Sequence, residues 1–401
     1  MSRLRKKEPD MRLENSVFVE LLKPIDRRGF QKIVDRHGGD AYDKSFRSWS
    51  HLVALIFAQL GAVVSLRALV AAFNAEANGH YHLGVGRFAR STLAEASARR
   101  PVAVFADLFA LLAATLDRKT RREGAEMLRL IDSTPIPLSK FHAFARSNGR
   151  IHGLKMHVAY DRGADRPYRV EVTLANVNDV TIGKKTPIEA GATYVFDKGY
   201  YDFKWWKGIH DAGALFVTRP KTNTRLKVVA ERPLDKTRGD GFTVLADSEV
   251  ALASKGDSKL RMRLRRIRIE RDAASRAKSP IIEVITNDMT RDAVEIAALY
   301  KVRWAIELLF RWLKQHLSIR KFLGKNENAI KLQLLAAMIA FLLLCIAAHS
   351  HGVTLPPLRF AELAGRFLFA RRPVASIDEP PPKYRVPSRW KSDCQIEMIY
   401  A

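Results

Sequence analysis

The sequence predicts an α/β chain: a mixed sheet flanked by helices, carrying a β-rich insertion and preceded by a helical N-terminal domain. Two observations carry that expectation. Apolar residues recur at helical steps up to about Leu128 and then switch to strict alternation, the period of a strand. A long helical pattern returns after Asp292. At 401 residues the chain has material for two to three domains, and its 47% hydrophobic and 27% charged residues are ordinary globular usage. That balance excludes a wholly disordered, collagenous or multi-span membrane protein.

The N-terminal elements follow in order. Trp49, Leu52, Val53, Ile56, Phe57 and Leu60 recur at three- and four-residue steps, and Ser65 is placed to cap a second helix. Ser91 is expected to cap a further segment, and Pro101 to start the run VAVFADLFALLAATL. The basic stretch Asp117 to Gly124 reads as a linker, which sets the domain boundary at 123.

Beyond it, MLRLIDSTPIPL, HGLKMHVAYD and YRVEVTLANV are three strands separated by polar or glycine-containing turns, an antiparallel meander opening a mixed sheet. ATYVFDKGYYD is a fourth strand running into a turn at Gly199, and ALFVTRP a fifth. The section from about 221 to 280 reads as an inserted β-rich subdomain. In it Leu260, Met262 and Leu264 alternate with Arg261, Arg263 and Arg265, so that period 2 places the arginines on one face. IIEVITND is one more strand. A long helix from about Asp292 runs through EIAALYKVRWAIELLFRWLKQHL, and the apolar run Leu334 to Ala348 is a buried core helix, too short at about 15 residues for a bilayer. The sheet-bearing domain thus spans 124–350, and 351–401 is a tail whose EPPPKYRVPSRWKSD segment lacks periodicity.

Charge and motifs narrow the function. Sixty-eight Lys plus Arg against 42 Asp plus Glu give a net charge of +26, which calls for a polyanionic partner, most simply nucleic acid. Two cysteines allow no disulfide framework and suit a reducing cytosol. The basic N-terminus has no apolar stretch behind it, so no secretory signal is expected. Gly183-Lys184-Lys185-Thr186 lacks the preceding glycine loop of a phosphate cradle, and no GxSxG, HExxH or paired CxxC occurs. Nucleotide hydrolysis and zinc chemistry have no support.

Three acids stand where acids are costly. Asp132 follows Leu130-Ile131 within a hydrophobic strand, Asp197 ends Tyr194-Val195-Phe196, and Glu307 lies between Ile306 and Leu308. A buried carboxylate must be paired, hydrogen-bonded or metal-bound, and an all-oxygen set suits Mg²⁺ or Mn²⁺. Each acid taken singly also has an ordinary reading, as a helix cap, a turn former or a solvated helix residue. On one continuous helix Tyr300, Arg303, Glu307 and Lys314 would share a face over roughly 21 Å, a surface able to hold a cation and grip phosphates. Trp304 and Trp312 flank it as possible base-stacking groups. A salt-bridged face, with Glu307 paired to Arg303 and Arg311, accounts for the same pattern.

The spacing Tyr300-x2-Arg303-x3-Glu307-x6-Lys314 resembles the YREK signature of bacterial insertion-sequence transposases of the IS-four group, relatives of the Tn-five type. LIDST around Asp132 and FDKGYYD around Asp197 resemble the first and second acidic motifs of that group, and the helical N-terminal third is similar to the domain preceding its catalytic core. The resemblance implies a ribonuclease H-like fold, with Asp132 on its first strand, Asp197 after its fourth and Glu307 on a following helix. It further implies a DNA transposase with Asp132, Asp197 and Glu307 as catalytic residues holding two Mg²⁺ or Mn²⁺, and cut-and-paste transposition through a hairpin end. Tyr300, Arg303 and Lys314 would hold the DNA backbone and Trp304 a distorted base, while Arg261, Arg263 and Arg265 would add phosphate grip or form a solvated face. The partners expected are double-stranded DNA, at terminal inverted repeats and at the target, and a second copy in a paired-end complex, in the bacterial cytoplasm, without a membrane or nucleotide cofactor. A silent DNA-binding descendant and a nuclease on the same fold are the competing readings.

Overall fold

The computed structural model describes residues 15–380, apart from 42, 123–126, 141, 236, 253–261, 273–279 and 317–321. Arg261, Cys394, the basic N-terminus and the Pro-rich segment beyond 380 lie outside the described residues.

Amphipathic spacing and local caps build the N-terminal helices α1 (Val17–Leu22), α2 (Arg27–Arg36), α3 (Ser48–Leu60), α4 (Leu66–Ala75), α5 (Ala77–Leu83), α6 (Arg90–Arg99) and α7 (Val102–Arg122). The Asp26 carboxylate accepts from the amides of Arg28 and Gly29 at the start of α2, and the Ser65 hydroxyl from that of Ala68 at the start of α4; each satisfies amides that a helix start leaves without partners. Two expectations change here. Ala89, not Ser91, occupies the N-cap of α6, and Ser91 sits inside its first turn. The stretch expected as a linker continues α7 to Arg122, since Asp117 to Arg122 contains no glycine or proline to stop a helix.

The sheet comprises β1 (Leu128–Pro137), β2 (Arg146–Ser147), β3 (His152–Asp161), β4 (Arg166–Leu174), β5 (Thr193–Phe196), β6 (Leu215–Thr218), β7 (Leu226–Glu231), β8 (Arg238–Gly239), β9 (Phe242–Leu252), β10 (Leu264–Arg271) and β11 (Ile281–Thr286). Helices α8 (Asp179–Gly183) and α9 (Phe203–Asp211) interrupt it. β1, β3 and β4 form the antiparallel meander, and β1, β5 and β6 run parallel to one another. The result is the expected mixed sheet flanked by helices. The β-rich section adds to the same sheet: its order continues from β6 through β11, β10 and β9 to β7.

The arginine alternation does not survive intact. The strand keeps its phase through the doublet Arg265-Arg266, but the apolar residues change face there, so Leu264 packs with one buried cluster while Ile267 and Ile269 pack with the other. Arg265 falls on the face of Ile267 and Ile269 and is 2% exposed. Its guanidinium donates to both Asp247 carboxylate oxygens and to the carbonyls of Asp288 and Arg291. It is therefore a core residue and no DNA contact.

The chain closes with α10 (Ala293–Val302), α11 (Trp304–His316), α12 (Glu327–Ser350) and α13 (Pro357–Arg366). The one long helix expected after Asp292 is two, with the break at Arg303. There the Arg303 amide donates to the Tyr300 carbonyl, and the Ile306 amide to the Arg303 carbonyl, in three-residue steps. α12 is long and apolar enough to cross a membrane, but its surface is buried against α3, α6 and α7 on one side and β4 on the other. The Asn328 amide ties it to the carbonyls of Ser97 and Arg100, at 3.0 and 2.8 Å. Past it, the described part of the expected tail folds back: the amides of Val17 and Phe18 donate to the carbonyls of Ala370 and Leu368.

Removing one partner of a buried ion pair strands the other charge, at about 3–5 kcal/mol. Arg265→Ala should lower stability to urea by that order, whereas Arg265→Met combined with Asp247→Leu should recover most of it. A loss below about 1 kcal/mol for the single variant would show the pair to be dispensable.

Candidate active site

Two of the acids are brought together by register. The last paired residues of the parallel strands β1 and β5 are Ile131 and Phe196, so Asp132 and Asp197 are the next residue on each. Neighbouring strands lie about 4.8 Å apart, which places both carboxylates at one rim of the sheet. Asp197 begins a 3₁₀ turn, Lys198–Tyr200, and accepts from the Gly199 amide at 2.7 Å. Asp132 accepts from the Ser133 amide at 2.8 Å.

Glycine at 199 is required by space: a Cβ there would lie 2.8 Å from Asp197 Oδ1 and 3.1 Å from an oxygen of Asp179. Asp179 was not singled out in the sequence. Only the fold shows it beside the two motif acids.

The third acid arrives on α11. At the break between α10 and α11, the Arg303 guanidinium donates to Asp132 Oδ2 at 3.0 Å and also to Glu307 Oε1, one turn on. Arg303 therefore joins the strand acid to the helix acid. The salt-bridged reading of this face holds for Arg303 and Glu307; Arg311 instead stacks on the Trp304 ring, 5.3 Å from its centroid.

Electrostatics confirm how close the acids are. Burial pushes the Asp132 carboxyl up to about 7, against the pull of Arg303 and the Ser133 amide, and the negative charges of Asp197 and Glu307 push the same way. Burial opposes the Arg303 charge, yet Tyr300, Asp132 and Glu307 together hold its pKa above the usual guanidinium value. Tyr300 is buried, which raises its phenol against the pull of Arg303 and Arg219. Arg219, one residue past β6, is a second cation at this rim that the sequence reading passed over.

The other expected residues fall into place less closely. Trp304 begins α11 and is 50% exposed. Trp312 packs edge-on against Phe341 of α12, which makes it part of the core. Lys314 lies two turns beyond Glu307 on α11, half-buried. Arg263 is exposed and donates to both oxygens of Glu249 at 2.8 Å.

Three carboxylates form the donor set of a hard divalent cation, and a buried carboxylate with so high a pKa carries charge that the protein alone leaves poorly compensated. Among the described residues no three acids already close around one point. The guanidinium of Arg303, itself a cation, bridges two of them. The set fits such an ion in chemistry, with Arg303 in the place of its charge.

A consequence for stability follows. The carboxyl of Asp132 is raised above its unfolded value of about 3.9, so the folded state holds a proton that the unfolded chain has lost, and stability falls as pH rises between about 4 and 7. In metal-free buffer Asp132→Asn should match the unsubstituted protein near pH 4 and exceed it by a few degrees in Tm at pH 8. A gap that does not change with pH would contradict this electrostatic picture.

A family model for the transposase DDE domain matches residues 123–343, and one for a domain of unknown function, DUF4372, matches residues 13–86. The chain is 60% identical over 290 residues to a Sinorhizobium fredii protein named as transposase y4zB, covering 72% of this chain and 80% of that one. It is 30% identical over 295 residues to the Geobacillus stearothermophilus protein named as a transposase of element IS5377, covering 73% and 76%. A piggyBac transposase in a synaptic complex with hairpin DNA aligns at a TM-score of 0.46 and 11% identity, covering 93% of this chain and 84% of that one. With the domain match spanning more than half of its length and carrying all three acids, the chain belongs to the DDE transposases of bacterial insertion sequences.

Proposed function

We propose that this transposase moves its insertion sequence by cut-and-paste, cleaving double-stranded DNA at terminal inverted repeats through a hairpin end, with two Mg²⁺ or Mn²⁺ held by Asp132, Asp197 and Glu307. The reading is supported chiefly by one observation, the bridging of Asp132 and Glu307 by Arg303 beside Asp197. It gathers three acids and a cation at one end of the parallel strands.

Such ions, when bound, activate the attacking oxygen and stabilise the leaving oxygen of an in-line displacement at phosphorus. The protein's part is to hold its carboxylates at fixed positions. Asp132 lies between Asp197, its strand neighbour, and Glu307, reached through Arg303, which suits it to serve both ions. Arg303, which pairs with Asp132 and Glu307 here, would be available to a DNA phosphate were those carboxylates compensated by another cation, with Tyr300 beside it, 5.7 Å from its ring centroid. Lys314 and Arg219 would extend that grip along the strand, and the exposed face of Trp304 offers a platform for an unstacked base. The net charge of +26 supplies general attraction for DNA that weakens steeply with salt. Two element ends must meet, so the working form is a homodimer in a paired-end complex, acting in the cytoplasm on bacterial DNA.

Asp132→Ala, Asp197→Ala and Glu307→Ala should each bind end DNA as the unsubstituted protein does, yet lose nicking in Mg²⁺ by roughly a thousandfold. An acid whose removal leaves nicking intact is not part of the site. Arg303→Ala and Lys314→Ala should reduce hairpin yield more than they weaken affinity; equal losses in both would make them general DNA contacts.

A further inference from the structure

We propose that Asp179 is a positioning residue for the cleavage reaction, a fourth carboxylate that clamps the Asp132 strand and the Asp197 turn together from the side of the sheet opposite Arg303. The inference rests on the reading of Asp132 and Asp197 as catalytic acids, and extends it to a residue outside the three acidic motifs.

The geometry is specific. Asp179 Oδ1 accepts from the Ser133 hydroxyl at 2.8 Å and faces the Lys155 ammonium at 3.0 Å and His157 Nδ1 at 3.6 Å. Ser133 pairs across the ladder with His157, and Pro135 with Lys155. Successive strand residues point to opposite faces, so Ser133, His157 and Lys155 lie on the face away from Asp132. Arg303 thus holds Asp132 from one face, and Asp179 holds the next residue from the other. The Ser133 amide in turn donates to Asp132 Oδ1, which carries the restraint to the carboxylate itself.

The second oxygen of Asp179 faces the turn that carries the other acid. It lies beside Gly199, where a Cβ would meet both Asp179 Oδ2 and Asp197 Oδ1. Helix α8 is seated there by close packing: a Cβ on Gly183 would come within 2.9 Å of the Tyr200 ring. Lys155 also donates to the Val177 carbonyl at 2.9 Å, fixing the loop that leads into α8. The hydroxyl of Thr173 donates to the Leu174 carbonyl and so accepts from His157 Nε2. Burial pushes His157 down to about 4, which leaves Lys155 as the charge partner of Asp179. One side chain therefore joins β1 to β3 and lies against the Asp197 turn at Gly199.

The test compares Asp179→Ala, Asp179→Asn and Ser133→Ala in full-length protein, with Asp132→Ala as reference. Asp179→Ala should lower the kcat of end nicking by roughly 10–100-fold, the usual effect of losing a residue that orients a catalytic ligand, with end-DNA affinity within about twofold. Mn²⁺ binding followed by electron paramagnetic resonance, without DNA, should weaken in parallel. Asp179→Asn, which keeps an acceptor for Ser133, should retain more activity and guards against a folding defect in the alanine variant. Since Ser133 acts through Asp179, the double alanine variant should be no worse than Asp179→Ala. Nicking and Mn²⁺ binding by Asp179→Ala within twofold of the unsubstituted protein, or multiplicative losses in the double variant, would overturn the proposal. If Asp132→Ala itself still nicks, the underlying assignment of the acids fails instead.

Discussion

Gathering carboxylates out of water is the constraint on which this structure turns. Asp132 stands midway along the hydrophobic strand β1, where its pairing with β5 ends, with two further acids beside it, and burial there pushes its carboxyl up to about 7. Like charges in a poorly hydrated rim repel one another, so the arrangement persists only because cations are built in around it. Arg303 supplies the nearest, bridging Asp132 and Glu307, and Tyr300 packs against it. On the opposite face Lys155 balances Asp179 in the same way.

The rest of the fold serves to hold that rim still. Parallel pairing of β1 with β5 sets Asp132 next to Asp197 without help from any side chain. The break at Arg303 turns α11 so that Glu307 meets a strand whose position is fixed by the sheet. Behind it, Trp312 of α11 packs on Phe341 of α12, and α12 is itself wedged between the N-terminal helices and β4. The N-terminal helices and the sheet share one continuous apolar core. Motion of α11 relative to the strand acids is therefore opposed by packing.

Much of this was legible in the sequence, and what was missed has physical causes. The apolar runs before Asp132 and Asp197 marked both as strand residues because a strand's period is short and local. The motif spacing singled out Glu307, which the structure links to Asp132 through Arg303 even though the expected long helix is broken before it. Helical-wheel reasoning assumes one axis and could not detect a break formed by two three-residue hydrogen bonds. Arg265 was misplaced because the face it shares with Ile267 and Ile269 becomes the apolar one after the doublet Arg265-Arg266, and because its partner Asp247 is distant in sequence. Asp179 and Arg219 were passed over for a related reason: their significance depends on contacts across the sheet that no local pattern encodes.

The chemistry of this site depends on whether Arg303 occupies the place of a metal charge. Anomalous diffraction from crystals of the protein bound to a cleaved element end and soaked in Mn²⁺ tests this directly. Manganese peaks should appear within coordination distance of Asp132, Asp197 and Glu307, with the guanidinium withdrawn from the two carboxylates and placed against a DNA phosphate. A guanidinium still bridging Asp132 and Glu307, with manganese bound elsewhere or absent, would contradict it.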